Sequence, residues 1–269
     1  MTNTEISAGL VKELRDQTGA GMMDCKRALQ EANGDLEAAR RILREKGMAS
    51  AAKRAGRETT EGLVETRVQG STGLIVGVGC ETEPVSKNDE FRAFVARAAD
   101  AVAAGGPDAV SELDDERQQL SGRLGENIAV VGAARYEAGA DEVVAAYVHP
   151  PGKIGVLVHL RGGSAELARR LAMHISFAAP EWTARADVPA EAVEAERQIY
   201  LNSDEVQSKP DAAREKIVDG MLGKRFFAAS PGGVLVDQPW IHDTGRTVGQ
   251  ALEEGGAAVL AFARVSVAG

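Results

Sequence analysis

The chain has 269 residues, of which 44% are hydrophobic and 26% are charged, as in ordinary globular proteins. A net charge of −9 argues against binding nucleic acid over a whole surface, because that requires a broad basic face. Cys25 and Cys80 form no CxxC pair, and the N-terminus has no basic region followed by an apolar run. We therefore expect a cytoplasmic protein of one or two domains, without a secretion signal or a membrane-spanning segment.

The first 47 residues are predicted to form a head of three short helices. Apolar residues recur at helical spacing over residues 10–14, 25–32 and 36–43. Ser7 and Asp35 are placed to cap the first and third helices, and Gly47 marks the predicted end of the third. Helices this short bury little area, so we expect the head to bind a partner rather than to catalyse a reaction.

Two features of the head leave two interpretations each. Met22 and Met23 lie in the turn before the second helix, where an exposed methionine suits a docking surface; alternatively, one of them fills the small core. Residues 1–57 carry 11 Lys and Arg against 8 Asp and Glu. That excess suits docking to an acidic protein, but from charge alone it is more typical of a solvated helix face followed by a basic linker over residues 48–61.

The remainder of the chain is predicted to be duplicated. Residues 63–68 and 143–148 each precede a glycine-containing turn and a β-rich run, and each pair of runs is typical of a β-hairpin. A helix follows each hairpin, and each half closes with a helix, a turn and a strand. The pattern predicts an α+β fold whose small antiparallel sheets have packed helices, because hairpin turns cannot join parallel strands.

We place the predicted domain limits at residues 1–47 for the head, 48–61 for the linker, 62–140 for the first core subdomain and 141–269 for the second. Residues 189–227 have no counterpart in the first half. They are predicted to form an inserted helical hairpin, with Pro189 and Pro210 near the helix starts. This hairpin either projects to contact a partner or packs flat on the sheet.

The sequence contains few catalytic signals. It has no GxxxxGK[ST], GxSxG or HExxH motif, and its four histidines lack metal-ligand spacing. We therefore expect neither an enzyme nor a metal or cofactor site.

Several segments closely resemble the bacterial elongation factor Ts family. They are LVKELRDQTGAGMMDCKRALQEANGDLEAA (10–39), CETEPVSKNDEF (80–91), RLGENI (123–128), IGVLVHL (154–160), LAMHI (171–175), SKPDAAREKIVDGML (208–222) and TVGQAL (247–252). The resemblance implies a ubiquitin-associated-like head and a guanine-nucleotide exchange factor. Its partner would be the GTPase elongation factor Tu, with no direct nucleic-acid or membrane contact.

The same resemblance implies roles for individual residues. Arg15, Met22 and Met23 match head positions that touch the partner's nucleotide domain. Ile128 and His174 match interface positions in the core, which favours a partner role for His174 over that of an ordinary core histidine.

The family carries a Thr-Asp-Phe-Val motif that pushes an aromatic side chain into the partner and dislodges Mg²⁺. The matching residues here are Thr82, Glu83, Pro84 and Val85. Proline supplies no aromatic wedge, and it restricts both its own backbone and that of Glu83. Either Val85 or the stiffened loop replaces the wedge, or other contacts carry the exchange, or the chain binds its partner and exchanges slowly.

We expect slow but real exchange. The alternative from another class is a noncatalytic protein that binds and stabilises elongation factor Tu. A small-molecule enzyme that uses His174 with nearby carboxylates is a third hypothesis, far behind the others.

Overall fold

The computed structural model of the chain describes residues 6–268. In chain order its main elements are α1 (Ala8–Thr18), α2 (Met22–Glu31), α3 (Leu36–Arg54), β1 (Glu61–Gln69), β2 (Thr72–Cys80), α4 (Glu83–Ser86), α5 (Asp89–Gly105), α6 (Asp114–Leu124), β3 (Ala129–Glu137), β4 (Glu142–His149), β5 (Ile154–Gly162), α7 (Ala165–Ala178), α8 (Ala190–Leu201), α9 (Asp204–Gln207), α10 (Asp211–Met221), β6 (Pro239–Trp240), β7 (Asp243–Thr247), α11 (Val248–Glu254) and β8 (Ala257–Ser266). No helix within residues 6–268 combines the length and the apolar character needed to cross a bilayer.

Two small sheets confirm the predicted α+β class. One has the strand order β1-β2-β3 and the other has the order β4-β5-β8. In both sheets, the two strands of a hairpin form one edge and the centre. A later strand, separated from the hairpin by helices, forms the other edge. The β4–β5 pair is antiparallel, with Glu142 opposite Arg161 and His149 opposite Ile154. The duplication that the sequence indicates is therefore visible in the strand order.

The described residues fall into two compact units. The first comprises residues 6–65, 76–133 and 266–268, and the second comprises residues 66–75 and 134–265. In the second unit, α7 packs on β4 and β5 through buried apolar side chains that include Leu171 and Ile175. The predicted domain limits follow sequence patterns instead of these contacts, and they stay a prediction.

The head begins as its sequence indicates. Leu10 N donates to Ser7 Oγ at 3.2 Å, and Asp35 Oδ1 accepts from the backbone N–H groups of Glu37 and Ala38. These caps satisfy N–H groups that have no partner inside their own helices. The apolar stripes of the three helices meet in a small core formed by Val11, Leu14, Cys25, Ala28, Leu29 and Ala39.

The predicted end of the third helix is wrong. Helix α3 continues through Gly47 to Arg54, so it takes up the first half of the expected linker. Gly47 lies against Gly122 of α6, and a Cβ on Gly122 would come within 2.9 Å of Gly47 Cα. The close approach of the two helix backbones accounts for the glycine at position 122, and the alanine-rich residues that follow Gly47 favour continued helix.

The inserted hairpin forms as predicted and has a core of its own. Val206, Val218, Met221 and Leu222 are buried together, between α8, α9 and α10. The second long helix of the hairpin, α10, ends at Met221. A π-helical turn, Leu222–Phe227, then carries Phe226 against Trp182 at a ring-centroid distance of 5.9 Å.

The contact between α3 and α6 predicts opposite effects for two glycine-to-alanine substitutions. Gly122→Ala places a methyl group against the backbone of Gly47, so we expect a loss of about 1–3 kcal/mol in the free energy of unfolding. Gly47→Ala meets Gly122 Cα at 4.0 Å, an ordinary contact, and should stabilise the helix by about 0.5–1 kcal/mol. Urea denaturation of both variants measures the difference, and equal effects would contradict this helix contact.

Candidate functional site

The four residues matched to the family's exchange motif form a surface turn at the end of β2. Thr82 has an extended backbone and precedes the short helix α4. Thr82, Glu83 and Pro84 are exposed, whereas Val85 is half-buried. Pro84 occupies the first turn of α4, where its missing N–H breaks no hydrogen bond within the helix. Residues 82–85 are called the exchange loop below.

The carboxylate of Glu126 holds the start of the exchange loop. Glu126 Oε2 accepts from the backbone N–H of Glu81 and of Thr82, both at 3.0 Å. Glu126 Oε1 accepts from Thr82 Oγ1 at 2.5 Å. Hydrogen bonds to an ionised carboxylate are stronger than neutral ones, so three of them on one side chain fix the backbone before the loop tip.

A reciprocal set of bonds runs in the opposite direction. Glu81 Oε1 accepts from the backbone N–H of Asn127 at 2.6 Å, while the buried amide of Asn127 donates to the carbonyl of Arg57 at 2.7 Å. Glu81 and Glu126 thus each fix the backbone of the segment that carries the other. Residues 80–91 and 123–128, which separately resemble the family, meet here.

Contacts inside the loop limit its movement further. Ser86 is buried, and its Oγ donates to the carbonyl of Glu83 at 2.8 Å. Lys87 Nζ lies 2.7 Å from Glu83 Oε1, with both side chains about two-thirds exposed. An exposed pair of this kind contributes little to stability, so a partner would displace it at low cost.

The predicted head residues lie at the surface. Met22 and Met23 are 57% and 61% exposed at the start of α2, and Arg15 is exposed on α1. Neither methionine belongs to the head's core, so the interpretation in which one of them fills that core is wrong. Gly19 has φ +66°, which turns the chain sharply between the helices that present these side chains.

Ile128 and His174, the two predicted core contacts, are fully buried. A side chain without exposed surface cannot touch a partner in this conformation, which does not fit the direct contact inferred from the resemblance. The partner roles of both residues stay predictions, and the burial of the two side chains argues against direct contact in this conformation. The carbonyl of Ile128 accepts from Arg117 Nη1 at 2.7 Å, next to the Glu126 and Asn127 contacts.

His174 is part of a buried polar network. Its Nδ1 accepts from the backbone N–H of Ile241 at 3.4 Å, so we assign the proton to Nε2, which donates to Gln238 Oε1 at 2.9 Å. The Gln238 amide in turn donates to the carbonyls of Ala178, Ala229 and Gly232, and the His174 ring stacks on Trp240. Burial lowers the pKa of His174, which keeps the imidazole neutral.

Within residues 6–268, no group of three or more His, Cys, Asp or Glu side chains has the arrangement of a metal site. His174 has an amide, an aromatic ring and backbone groups around it, and the described contacts bring no carboxylate to it. That environment suits a structural histidine. It gives no support to the third hypothesis, which paired His174 with nearby carboxylates.

Comparison with known proteins identifies the family. A family model described as "Elongation factor TS" matches residues 81–269. Relatives named elongation factor Ts from Escherichia coli and from Shigella boydii serotype 18 are each 40% identical over 267 residues, which cover 98% of this chain and 92% of each relative. The chain belongs to the elongation factor Ts family. The exchange loop and both of its supporting acidic residues lie inside the matched region.

The role of Glu126 was not predicted from the sequence. The resemblance included residues 123–128 but assigned a role only to Ile128, because hydrogen bonds between segments 40 residues apart have no local sequence pattern. Gly125 could have indicated a helix end and a turn at this point. It has φ +78° and ends α6, so Glu126 is the first residue after the turn.

Removing the Glu126 carboxylate is expected to loosen the exchange loop. Glu126→Ala leaves two backbone N–H groups and one hydroxyl without their acceptor, so the free energy of unfolding should fall by about 1–3 kcal/mol. Hydrogen exchange should also accelerate at the amides of Glu81 and Thr82. Glu126→Gln keeps one acceptor oxygen and should have a smaller effect.

Glu112→Ala is the matched control, because it removes an exposed carboxylate from the same unit. Unchanged exchange at the two amides in Glu126→Ala, or an equal change in the control, would contradict the role given to Glu126.

Proposed function

We propose that the chain is a guanine-nucleotide exchange factor that promotes GDP release from elongation factor Tu in the cytoplasm. Membership of the elongation factor Ts family supports the translational role and the partner. The observation that carries the proposal further is the exchange loop: an exposed turn whose base is fixed by hydrogen bonds from Glu126.

Exchange of this kind requires no covalent chemistry, and we propose that the chain is not an enzyme in that sense. A protein that binds the nucleotide-free GTPase more tightly than the GDP-bound form must weaken GDP binding by the same factor. Each 1.4 kcal/mol of differential contact weakens GDP about tenfold. The contacts between the two proteins therefore supply the whole driving force.

A fixed exchange loop makes such contacts efficient. A loop that is ordered before binding loses less conformational entropy in the complex, so more of the contact energy can displace nucleotide and Mg²⁺. Met22 and Met23 on the head provide a second exposed surface, whose flexible side chains suit a docking contact. We assign Arg15 to the same surface.

The exchange loop also supports the alternative of a noncatalytic binder. Pro84 stands where the family motif has phenylalanine, and its ring is much smaller than an aromatic wedge. Since Glu83 and Pro84 are both exposed, their side chains can still meet the partner. We therefore favour slow exchange driven by a stiff loop, and binding without exchange is the competing hypothesis.

Release of fluorescent GDP from elongation factor Tu, followed by stopped flow, separates the two functions. We expect saturating amounts of this chain to accelerate release. The double variant Glu83→Asp, Pro84→Phe should accelerate it further, by about tenfold, which corresponds to about 1.4 kcal/mol of additional differential contact. A release rate that this chain does not change at saturation would leave only the binding function.

A second double variant, Met22→Ala with Met23→Ala, serves as the comparison in the same assay. It should raise the concentration needed for half-maximal acceleration and leave the maximal rate and the Tm close to wild type, because both side chains lie outside the head's core.

A further inference from the structure

A basic cleft lies within the first unit; its wall includes Gly21 and Asp24, on either side of Met22 and Met23, but neither methionine. It has a volume of about 780 Å³ and lies between the α1–α2 turn, helix α3 and the end of helix α6. Its wall includes seven Lys and Arg side chains, five of them on α3, namely Arg40, Arg41, Arg44, Lys46 and Arg54, against only two acidic side chains, Asp24 and Glu37. This concentration of positive charge occurs in a protein whose net charge is −9.

Six of the seven basic side chains in the wall already pair with a carboxylate, and the pairs of Arg41 and Arg44 are weak enough for a ligand to replace. Arg44 Nη2 lies 3.0 Å from Asp115 Oδ2, with side chains 56% and 66% exposed. Arg41 reaches Glu45 only at 4.0 Å, and that pair is more exposed still. Because solvent screens exposed pairs strongly, an incoming carboxylate can replace the present partners at little cost.

Arg54 gives an independent indication of an anionic ligand. Its Nη1 is buried, yet it has no hydrogen-bond partner among residues 6–268. Buried donors are nearly always paired in folded proteins, and a guanidinium is matched best by a carboxylate or a phosphate. Arg54 also lines the cleft, and the residue as a whole is only partly buried, so a change of its rotamer would bring this donor to an acceptor bound there.

The distribution of the charges favours an extended ligand over a compact one. Arg40 and Arg54 are separated by 14 positions of one helix, a distance of about 21 Å at 1.5 Å per residue. An extended peptide of about six residues spans that length. The acidic groups in the wall, Asp24 and Glu37, disfavour the dense charge of a polyphosphate more than the spaced carboxylates of a peptide.

We propose that this cleft binds an extended acidic segment of a partner protein, with Arg41 and Arg54 as its main carboxylate-binding residues. The binding site is separate from the exchange loop and does not depend on the exchange activity.

Fluorescence anisotropy with labelled octaglutamate and the full-length chain tests the proposal. The wild-type chain should bind the peptide, and raising the salt concentration should weaken binding. The double variant Arg41→Gln, Arg54→Gln should bind about tenfold more weakly, as expected for the loss of charge-assisted hydrogen bonds. The control double variant Arg92→Gln, Arg169→Gln removes two exposed charges outside the cleft and should change affinity by less than about twofold.

Amide chemical shifts of the wild-type chain provide a readout that needs no variant. Octaglutamate should shift signals along α3 and at the end of α6. The proposal is overturned if octaglutamate does not bind, if both double variants lose affinity equally, or if the shifted amides lie elsewhere. Tighter, Arg54-dependent binding of inorganic tripolyphosphate would also overturn it, because the site would then be one for phosphates.

Discussion

The Glu126 carboxylate is the interaction on which the proposed function depends most. It receives three hydrogen bonds from the two residues that precede the loop tip, and it reaches them because Gly125 turns the chain sharply at the end of α6. Without this acceptor, two N–H groups at the end of β2 would have to find water. The exposed residues Thr82, Glu83 and Pro84 would then lie on a mobile connection instead of a fixed turn.

Helix α6 links this loop to the head. Its end leads into the Glu126 contacts, and its Gly122 lies against the backbone of Gly47 in α3. Asp115, near its start, pairs with Arg44 of the same head helix. One helix therefore contacts both the support of the exchange loop and helix α3, against which the methionine-bearing helix α2 packs. In the proposed mechanism this arrangement lets two separate contacts act on the partner together.

The elements with strong local signals could be predicted from the sequence. Ser7 and Asp35 cap helices as expected, and the paired hairpins appear as neighbouring strands of two similarly ordered sheets. The end of α3 could not be predicted, because a glycine such as Gly47 usually marks a helix end. Only the folded chain shows that α3 continues past Gly47, in contact with Gly122. The inserted hairpin was predicted, but not its π-helical turn, which carries Phe226 toward Trp182.

The candidate site was predictable only where exposure and motif coincide. The surface positions of Thr82, Glu83, Pro84, Met22 and Met23 agree with their proposed roles. His174 and Ile128 were matched by motif alone, and the motif does not show that both side chains are buried. Glu126 was missed because its partners are more than 40 residues away, and only the folded chain brings them within 3.0 Å.

The central claim is that this chain distinguishes two states of one GTPase, and an equilibrium titration tests it most directly. Dissociation constants should be measured for the chain with nucleotide-free and with GDP-loaded elongation factor Tu under the same conditions. The account predicts that the nucleotide-free form binds at least about 100-fold more tightly, equivalent to about 2.8 kcal/mol of differential contact. Equal affinity for the two forms would contradict it.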